Sequence, residues 1–346
     1  MREPPSPLRF IVLATFAAAV AAGAIAQEVR DFPVTPEGSS PYGIAAGEDG
    51  NLWFTENNAN RIARITPDGV ITEYPISTRD RYPSQITAGP DGNLWFTEFV
   101  DRIGRISIDG TITEFTLPAS GSFPAGIAAG PDGALWFAER DGNRIGRITT
   151  DGAVREFSIP TLRSQPWGIA AGPDGSMWFT ELSGNQIARI TAEGAITEFP
   201  LATPASMPGG IVTGPDGNLW FTEHQTNRIG RITPAGTVSE FSIPTLLSSP
   251  AQIAVGPDGN LWFTEFNGNK IGRITPAGVI TEFPLPTFAG SLYGITSAPD
   301  GNLWFTQFSG DHVGWMAVPA EQAQLPARIV VPVLAQRPLP RPRPGR

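Results

Sequence analysis

Two histidines, His224 and His312, and a set of regularly spaced glutamates are the residues of this chain whose types suit acid–base or metal chemistry. There is no cysteine, which excludes a thiol nucleophile, a cysteine-ligated zinc site and a disulfide framework. Glu56, Glu98, Glu139, Glu181, Glu223 and Glu265 each close a Trp-Phe-Thr-Glu or Trp-Phe-Ala-Glu segment, and such a ring of carboxylates invites a metal or proton-transfer reading. A base follows each of them by four or five residues (Arg61, Arg102, Arg144, Arg228, Lys270), with Gln186 the one exception. An ion pair across a hairpin accounts for that spacing without chemistry. His312 stands where other segments have Arg or Lys and reads as a structural substitution. His224 occupies a place where five equivalents are not ionisable, so it is the one candidate for a catalytic base, although a lone histidine is more often a surface residue. Arg140 is a candidate anion ligand against a default of solvated arginine. No Ser-His-Asp set, phosphate loop or histidine-rich metal site is present.

What must position these residues is a repeat. The motif GPDGNLWFTE and its variants place tryptophans at 53, 95, 136, 178, 220, 262 and 304, a period of 42 residues with one step of 41. That is the length of a propeller blade and exceeds leucine-rich and ankyrin repeats. Each unit divides into four β-rich pieces, such as SQITAG, NLWFTE, RIGRIS and TITEFTL, separated by turn residues. The fold class predicted is all-β, a seven-bladed propeller of four-stranded blades. Tryptophan and phenylalanine point to opposite sides of one strand, so each blade must be covered on both faces by its neighbours. The last unit lacks its fourth strand, and Glu28–Val34 matches the missing piece; the N-terminal strand is therefore expected to complete blade seven and close the ring. Gln307 and Trp315, which depart from the repeat there, read as adaptation of the closing blade.

Pro-Asp-Gly and Asp-Gly turns, as at 90–92 and 109–110, put two tight turns per blade on one face of the disc. The other face receives the variable loops, where function is usually carried. Two positions vary between blades on that face. Eleven residues before the motif tryptophan stand Tyr42, Ser84, Ala125, Trp167, Gly209, Ala251 and Tyr293; four residues after it stand Asn57, Phe99, Arg140, Leu182, His224, Phe266 and Phe308. Tyr42, Ser84, Trp167, Tyr293, Phe99, Arg140, His224, Phe266 and Phe308 are the candidate ligand-binding residues, around an apolar pocket edged with hydroxyls. A plugged channel mouth is the competing reading of the inner ring.

The formal net charge is −9, and the body is more acidic still, because Arg328, Arg337, Arg341, Arg343 and Arg346 face no acid beyond residue 327. Nucleic acid is disfavoured as a partner. Arg2 and Arg9 precede an apolar run, residues 10–22, that ends in Ala24-Ile25-Ala26, the pattern of a cleaved signal peptide. An uncleaved anchor is the rival. The domain reading is thus a signal peptide at 1–26, the propeller at 27–318 and a Pro/Arg-rich tail at 319–346, a solvated extension or a contact for anionic polymer. The expectation is a periplasmic or secreted monomer with no membrane span after cleavage.

The residues GPDGNLWFTE…NRIGRITP.G.ITEFPLP, repeated from about 28 to 317, resemble the streptogramin B lyase (virginiamycin B lyase) family; NHL-type propellers share parts of the pattern. The resemblance implies a seven-bladed propeller that linearises a cyclic depsipeptide antibiotic by elimination across its ester bond, with magnesium and a histidine base near the channel mouth. The family's two histidines fall on Ala251 and Tyr293, one glutamate on Ser291 and another on Gln307 or Phe308, while the aromatic at Tyr42 matches. Without the base and the metal ligands the lyase chemistry loses its means. The expectation is therefore a propeller binding a small molecule, a peptide, an exported protein or a cell-envelope polymer on its long-loop face, with no cofactor. The alternative is a carbon–oxygen lyase with a rearranged site, His224 as base and magnesium as cofactor.

Overall fold

The computed structural model describes residues 27–286 and 290–318, so the expected signal segment and the Pro/Arg tail lie outside the described residues. Twenty-eight strands, β1 (Val29–Pro33) to β28 (His312–Met316), form seven four-stranded antiparallel sheets. Each blade runs from an innermost strand a to an outermost strand d, and neighbouring a strands contact one another all the way round. Among the described residues no helix is long and apolar enough to cross a membrane.

Strand b explains the ring. All five of its residues are buried in every blade, because its two faces meet two different neighbours. Trp53 packs against Ile86, Leu94 and Phe96 of the following blade, while Phe54 meets Trp304 and Val313 of the preceding one. The motif phenylalanine also dictates strand c. A Cβ built on Gly104 would fall 2.0 Å from Phe96, so only glycine or, in two blades, alanine sits there.

The Pro-Asp-Gly turn does more than reverse the chain. Gly92 adopts the left-handed conformation (φ 74°) as its residue type allows, and the aspartate beside it accepts a hydrogen bond from the motif indole. Trp95 Nε1 donates to Asp91 Oδ1 at 2.9 Å, and five other blades repeat this. The second arginine of strand c lies over the same indole. In blade seven Trp315 takes that arginine's place, and its Nε1 donates to Asp300 at 3.1 Å.

The N-terminal strand joins the last blade. β1 pairs antiparallel with β28 from Val29↔Met316 to Pro33↔His312, and Phe32 stacks on Trp304 at 5.4 Å as Tyr74 does on Trp53. Asp311 then accepts hydrogen bonds from the backbone N–H groups of Gly38 and Ser40, which steers the chain into blade one.

A polar belt fixes the inner ring. The motif threonine accepts from an amide of its own a strand and donates to the a-strand carbonyl of the next blade, as in Gly43 N–H to Thr55 (2.9 Å) and Thr55 to Ser84 O (2.6 Å). The link recurs from Thr97, Thr180, Thr222, Thr264 and Thr306. Blade three has Ala138 instead and offers neither bond.

Candidate functional site

The residue eleven before each motif tryptophan is the second of strand a, and the threonine belt holds five of the carbonyls at these positions in blades one, two, five, six and seven, together with that of Ala125 in blade three. Its side chain therefore stands at the channel mouth on a rigid frame. The residue two before it is left-handed in six blades, among them Tyr82, Phe123 and Met207 (φ 51°, 49° and 51°). This backbone state is unfavourable for a bulky residue, and it falls in the d-to-a connection immediately before strand a.

A cavity of 330 Å³ opens on this face, off-centre toward blades four to seven and bounded by Tyr42 of blade one. Its walls are Tyr42, Trp167, Leu182, Met207, Gly209, His224, Pro250, Ala251, Phe266, Tyr293 and Phe308. Small residues at 209 and 251 create the space, and aromatics on both sides enclose it. No carboxylate is in the wall.

Tyr42 and Tyr293 stack at 3.8 Å between ring centroids, and Phe308 and Phe99 meet Tyr42 edge-on at 5.7 and 6.2 Å. Burial first, and then the mutual influence of the two phenols, pushes Tyr42 well above the usual tyrosine range; burial likewise raises Tyr293. Both are neutral phenols at any physiological pH. His224 lies edge-on to Phe266 at 6.2 Å, with Nδ1 at 3.4 Å from the Pro250 carbonyl oxygen. Burial depresses its basicity below the ordinary histidine range, so the wall presents a neutral imidazole.

Six of the nine positions singled out in the sequence meet in this wall: Tyr42, Trp167, His224, Phe266, Tyr293 and Phe308. The other three do not line it. Ser84 is fully buried, its hydroxyl beside the Tyr42 phenol, because the serine is too short to emerge between its neighbours. Phe99 stacks on Phe123 at 4.1 Å. Arg140 is not a freely solvated arginine: its guanidinium lies over Phe123 and Trp167 at 5.0 and 5.7 Å and reaches Asp141 at 3.6 Å. Met207 and Pro250 were not anticipated. Comparing blades two residues before the inner ring (Ser40, Tyr82, Phe123, Gln165, Met207, Ser249, Ser291) exposes Met207 as a third variable position.

The glutamate ring needs a correction. Arg61 and Arg144 do bind Glu56 and Glu139, at 2.7 and 2.8 Å. Both arginines also reach the strand d carboxylate, Glu73 and Glu156, at 2.8 and 3.4 Å, whereas Arg102, Arg228 and Lys270 pair with strand d alone, with Glu114, Glu240 and Glu282 at 3.3, 2.6 and 3.4 Å.

The comparisons with known proteins agree with this architecture. The model of the virginiamycin B lyase family matches residues 16–166 and 130–328. This chain belongs to the virginiamycin B lyase family. Virginiamycin B lyase from Staphylococcus aureus superposes with a TM-score of 0.81 at 44% identity, covering 85% of this chain and all of that one. A catalytically inactive histidine-to-alanine variant of the Staphylococcus aureus enzyme, with quinupristin, superposes equally well at 43% identity over the same shares. The curated virginiamycin B lyase of Saccharopolyspora erythraea is 47% identical over 45 residues, 13% of this chain and 15% of that protein, so the chain spans a small part of the curated relatives it matches.

Within the virginiamycin B lyase frame, the positions of the two expected histidines hold a methyl group and a phenol, Ala251 and Tyr293, both in the cavity wall. Magnesium does not fit this wall, which offers one imidazole and two protonated phenols. Among the described residues no three His, Cys, Asp or Glu side chains group closely enough to hold a metal ion.

Proposed function

We propose that this member of the virginiamycin B lyase family is an exported binding propeller that holds an uncharged, largely apolar small molecule or peptide side chain in the cavity on its long-loop face, without the family's elimination chemistry. The observation that carries the reading is the pairing of a retained cavity with a lost proton-transfer set. The space between Gly209, Ala251 and the Tyr42–Tyr293 stack is that of a ligand pocket, while Ala251 and Tyr293 offer neither a base nor a metal ligand. Desolvating a charge against these aromatic walls would be costly, which favours a neutral ligand. Export rests on the basic start, the apolar run and the Ala24-Ile25-Ala26 sequence.

One observation favours a second reading, a carbon–oxygen lyase with a relocated base. His224 faces the cavity as a neutral imidazole, and an Nδ1–H donated to Pro250 leaves Nε2 to accept a proton. Residues 27–346 incubated with a type B streptogramin that carries no basic amine, together with Mg²⁺, then separated by reversed-phase chromatography with mass detection, decide between them. Elimination shifts retention at unchanged mass. The expected outcome is no product, with saturable quenching of tryptophan fluorescence that Tyr42→Ala and Trp167→Ala weaken at least tenfold. A linear product that disappears in His224→Ala would establish the lyase; neither product nor quenching would refute binding of this ligand.

A further inference from the structure

Six blades carry the same arrangement: the buried motif glutamate, the part-buried residue that begins strand c, and a glutamate in strand d (Glu73, Glu114, Glu156, Glu198, Glu240, Glu282). There are two carboxyls for at most one base, and the blades resolve the conflict differently. In blades one and three the arginine bridges both, Arg61 reaching Glu56 and Glu73 at 2.7 and 2.8 Å and Arg144 reaching Glu139 and Glu156 at 2.8 and 3.4 Å. In blades two and six it is drawn outward, Arg102 to Glu114 at 3.3 Å and Lys270 to Glu282 at 3.4 Å.

Glu98 and Glu265 are consequently stranded. Both side chains are fully buried, and neither oxygen of either carboxyl receives a hydrogen bond. The surroundings of Glu98 are Glu114 of strand d, Arg102 of strand c and Arg81 of the preceding connection. Nearby Asp101 is committed to the amides of Gly121 and Ser122 at 2.8 and 2.6 Å. The surroundings of Glu265 are Glu282 of strand d, Lys270 of strand c and Ser248, whose hydroxyl is spent on Asn227 Oδ1 at 2.7 Å. The partner carboxylates are well supplied: Glu114 accepts from Ser77 and Thr78 at 3.1 and 2.8 Å, and Glu282 from the Thr245 amide at 3.0 Å. A carboxylate deprived of water and of every donor is very unfavourable, whereas a protonated one donates to the carboxylate beside it.

We propose that Glu98 and Glu265 are proton-binding sites: each holds a proton in the folded protein at neutral pH and donates it to Glu114 or Glu282, so the propeller releases protons when it unfolds. Burial, reinforced by the neighbouring carboxylate, raises both groups to about 8. In the unfolded chain they ionise near the ordinary value, about 4.3. Between these limits the folded state binds more protons, so this stabilisation is complete below the ordinary glutamate range and is lost as pH rises through about 8. The slope approaches about tenfold in the folding constant per pH unit for each proton held.

The test is urea unfolding of residues 27–346 at pH 6 and pH 9, for the unaltered protein, Glu98→Gln, Glu265→Gln and the double variant. Glutamine copies the neutral acid and keeps a donor toward Glu114 or Glu282. The expected result is a folding constant that falls from pH 6 to 9, with a fall at least tenfold smaller in the double variant, and glutamine variants no less stable than the parent at pH 9. Equal falls, or glutamine variants weaker at pH 9, would overturn the proposal. Infrared spectroscopy reads the same point directly: the carbonyl band of protonated carboxylic acid at pH 6.5, lost by pH 9.5, is expected to be weaker in the double variant than in the unaltered protein, and an equal band in both refutes the proton on Glu98 and Glu265.

Discussion

At the scale of the residue, the motif tryptophan is the largest fully buried side chain of each blade. The Trp178 indole is fully buried among Leu201, Ile211 and Phe221, stacks on Phe199 at 5.4 Å and donates to Asp174 at 3.0 Å. Trp178→Ala removes all three kinds of contact and leaves a cavity between two rigid sheets that relax little. The expected loss is about 3–5 kcal/mol of unfolding free energy in urea titration, and a loss below about 1 kcal/mol would contradict the packing described. These tryptophans were legible from sequence because apolar residues on both faces of one strand admit only a position between two layers. His224 was less legible. Its type and variable position marked it, but its direction depends on the small residues Gly209 and Ala251 of adjacent a strands, a relation that spacing alone does not express.

At the scale of the element, the inner strands are tied by the threonine belt, and blade three supplies its natural control. The backbone approaches there as closely as elsewhere: a Cβ on Gly126 would lie 2.4 Å from the Trp167 carbonyl oxygen, matching the 2.4 Å between Gly168 and Gly209. Ala138→Thr therefore has room to accept from its own a strand and donate to Trp167 O. It should raise stability by about 1 kcal/mol, the net worth of a buried hydrogen bond, measured as a higher urea midpoint at unchanged slope. A lower midpoint would show that the Trp167 strand has settled differently from its six equivalents. Strand number, turn positions and the variable face follow from the period and from Pro-Asp-Gly, since both are local. What the sequence left hidden lies between elements: the aspartate that holds the indole, the outward pull of Arg102 and Lys270, and the left-handed Met207. Each arises from a contact between strands whose partners are set only once the sheet is built. The ion-pair reading of the glutamates holds in blades one and three and gives way in blades two, five and six, where the base pairs with the strand d carboxylate that a hairpin argument does not contain.

At the scale of the whole molecule, the question is what keeps seven similar wedges in a closed ring. Every blade interface buries the same tryptophan–phenylalanine surface, so the contact between blades seven and one gains nothing special from packing. It gains instead from connectivity: β1 belongs to blade seven while Val34 and the residues after it lead into blade one, so the chain itself bridges the seam. A chain that began at residue 35 and carried Glu28–Val34 after Met316, joined by a Thr-Pro-Ala-Gly turn like that at 233–236, would restore the usual blade connectivity and leave the seam without a covalent tie. All strand pairings of the native ring remain available to it, including Phe32 on Trp304. It should therefore fold to the same far-ultraviolet spectrum, yet unfold faster in urea, because opening the seam no longer requires peeling β1 from β28. Deleting residues 28–34 outright goes further: it bares the β28 edge, and self-association on size-exclusion chromatography is the expected result. If the rearranged chain unfolds no faster than the native one, the seam is held by blade packing alone and the N-terminal strand contributes only its hydrogen bonds.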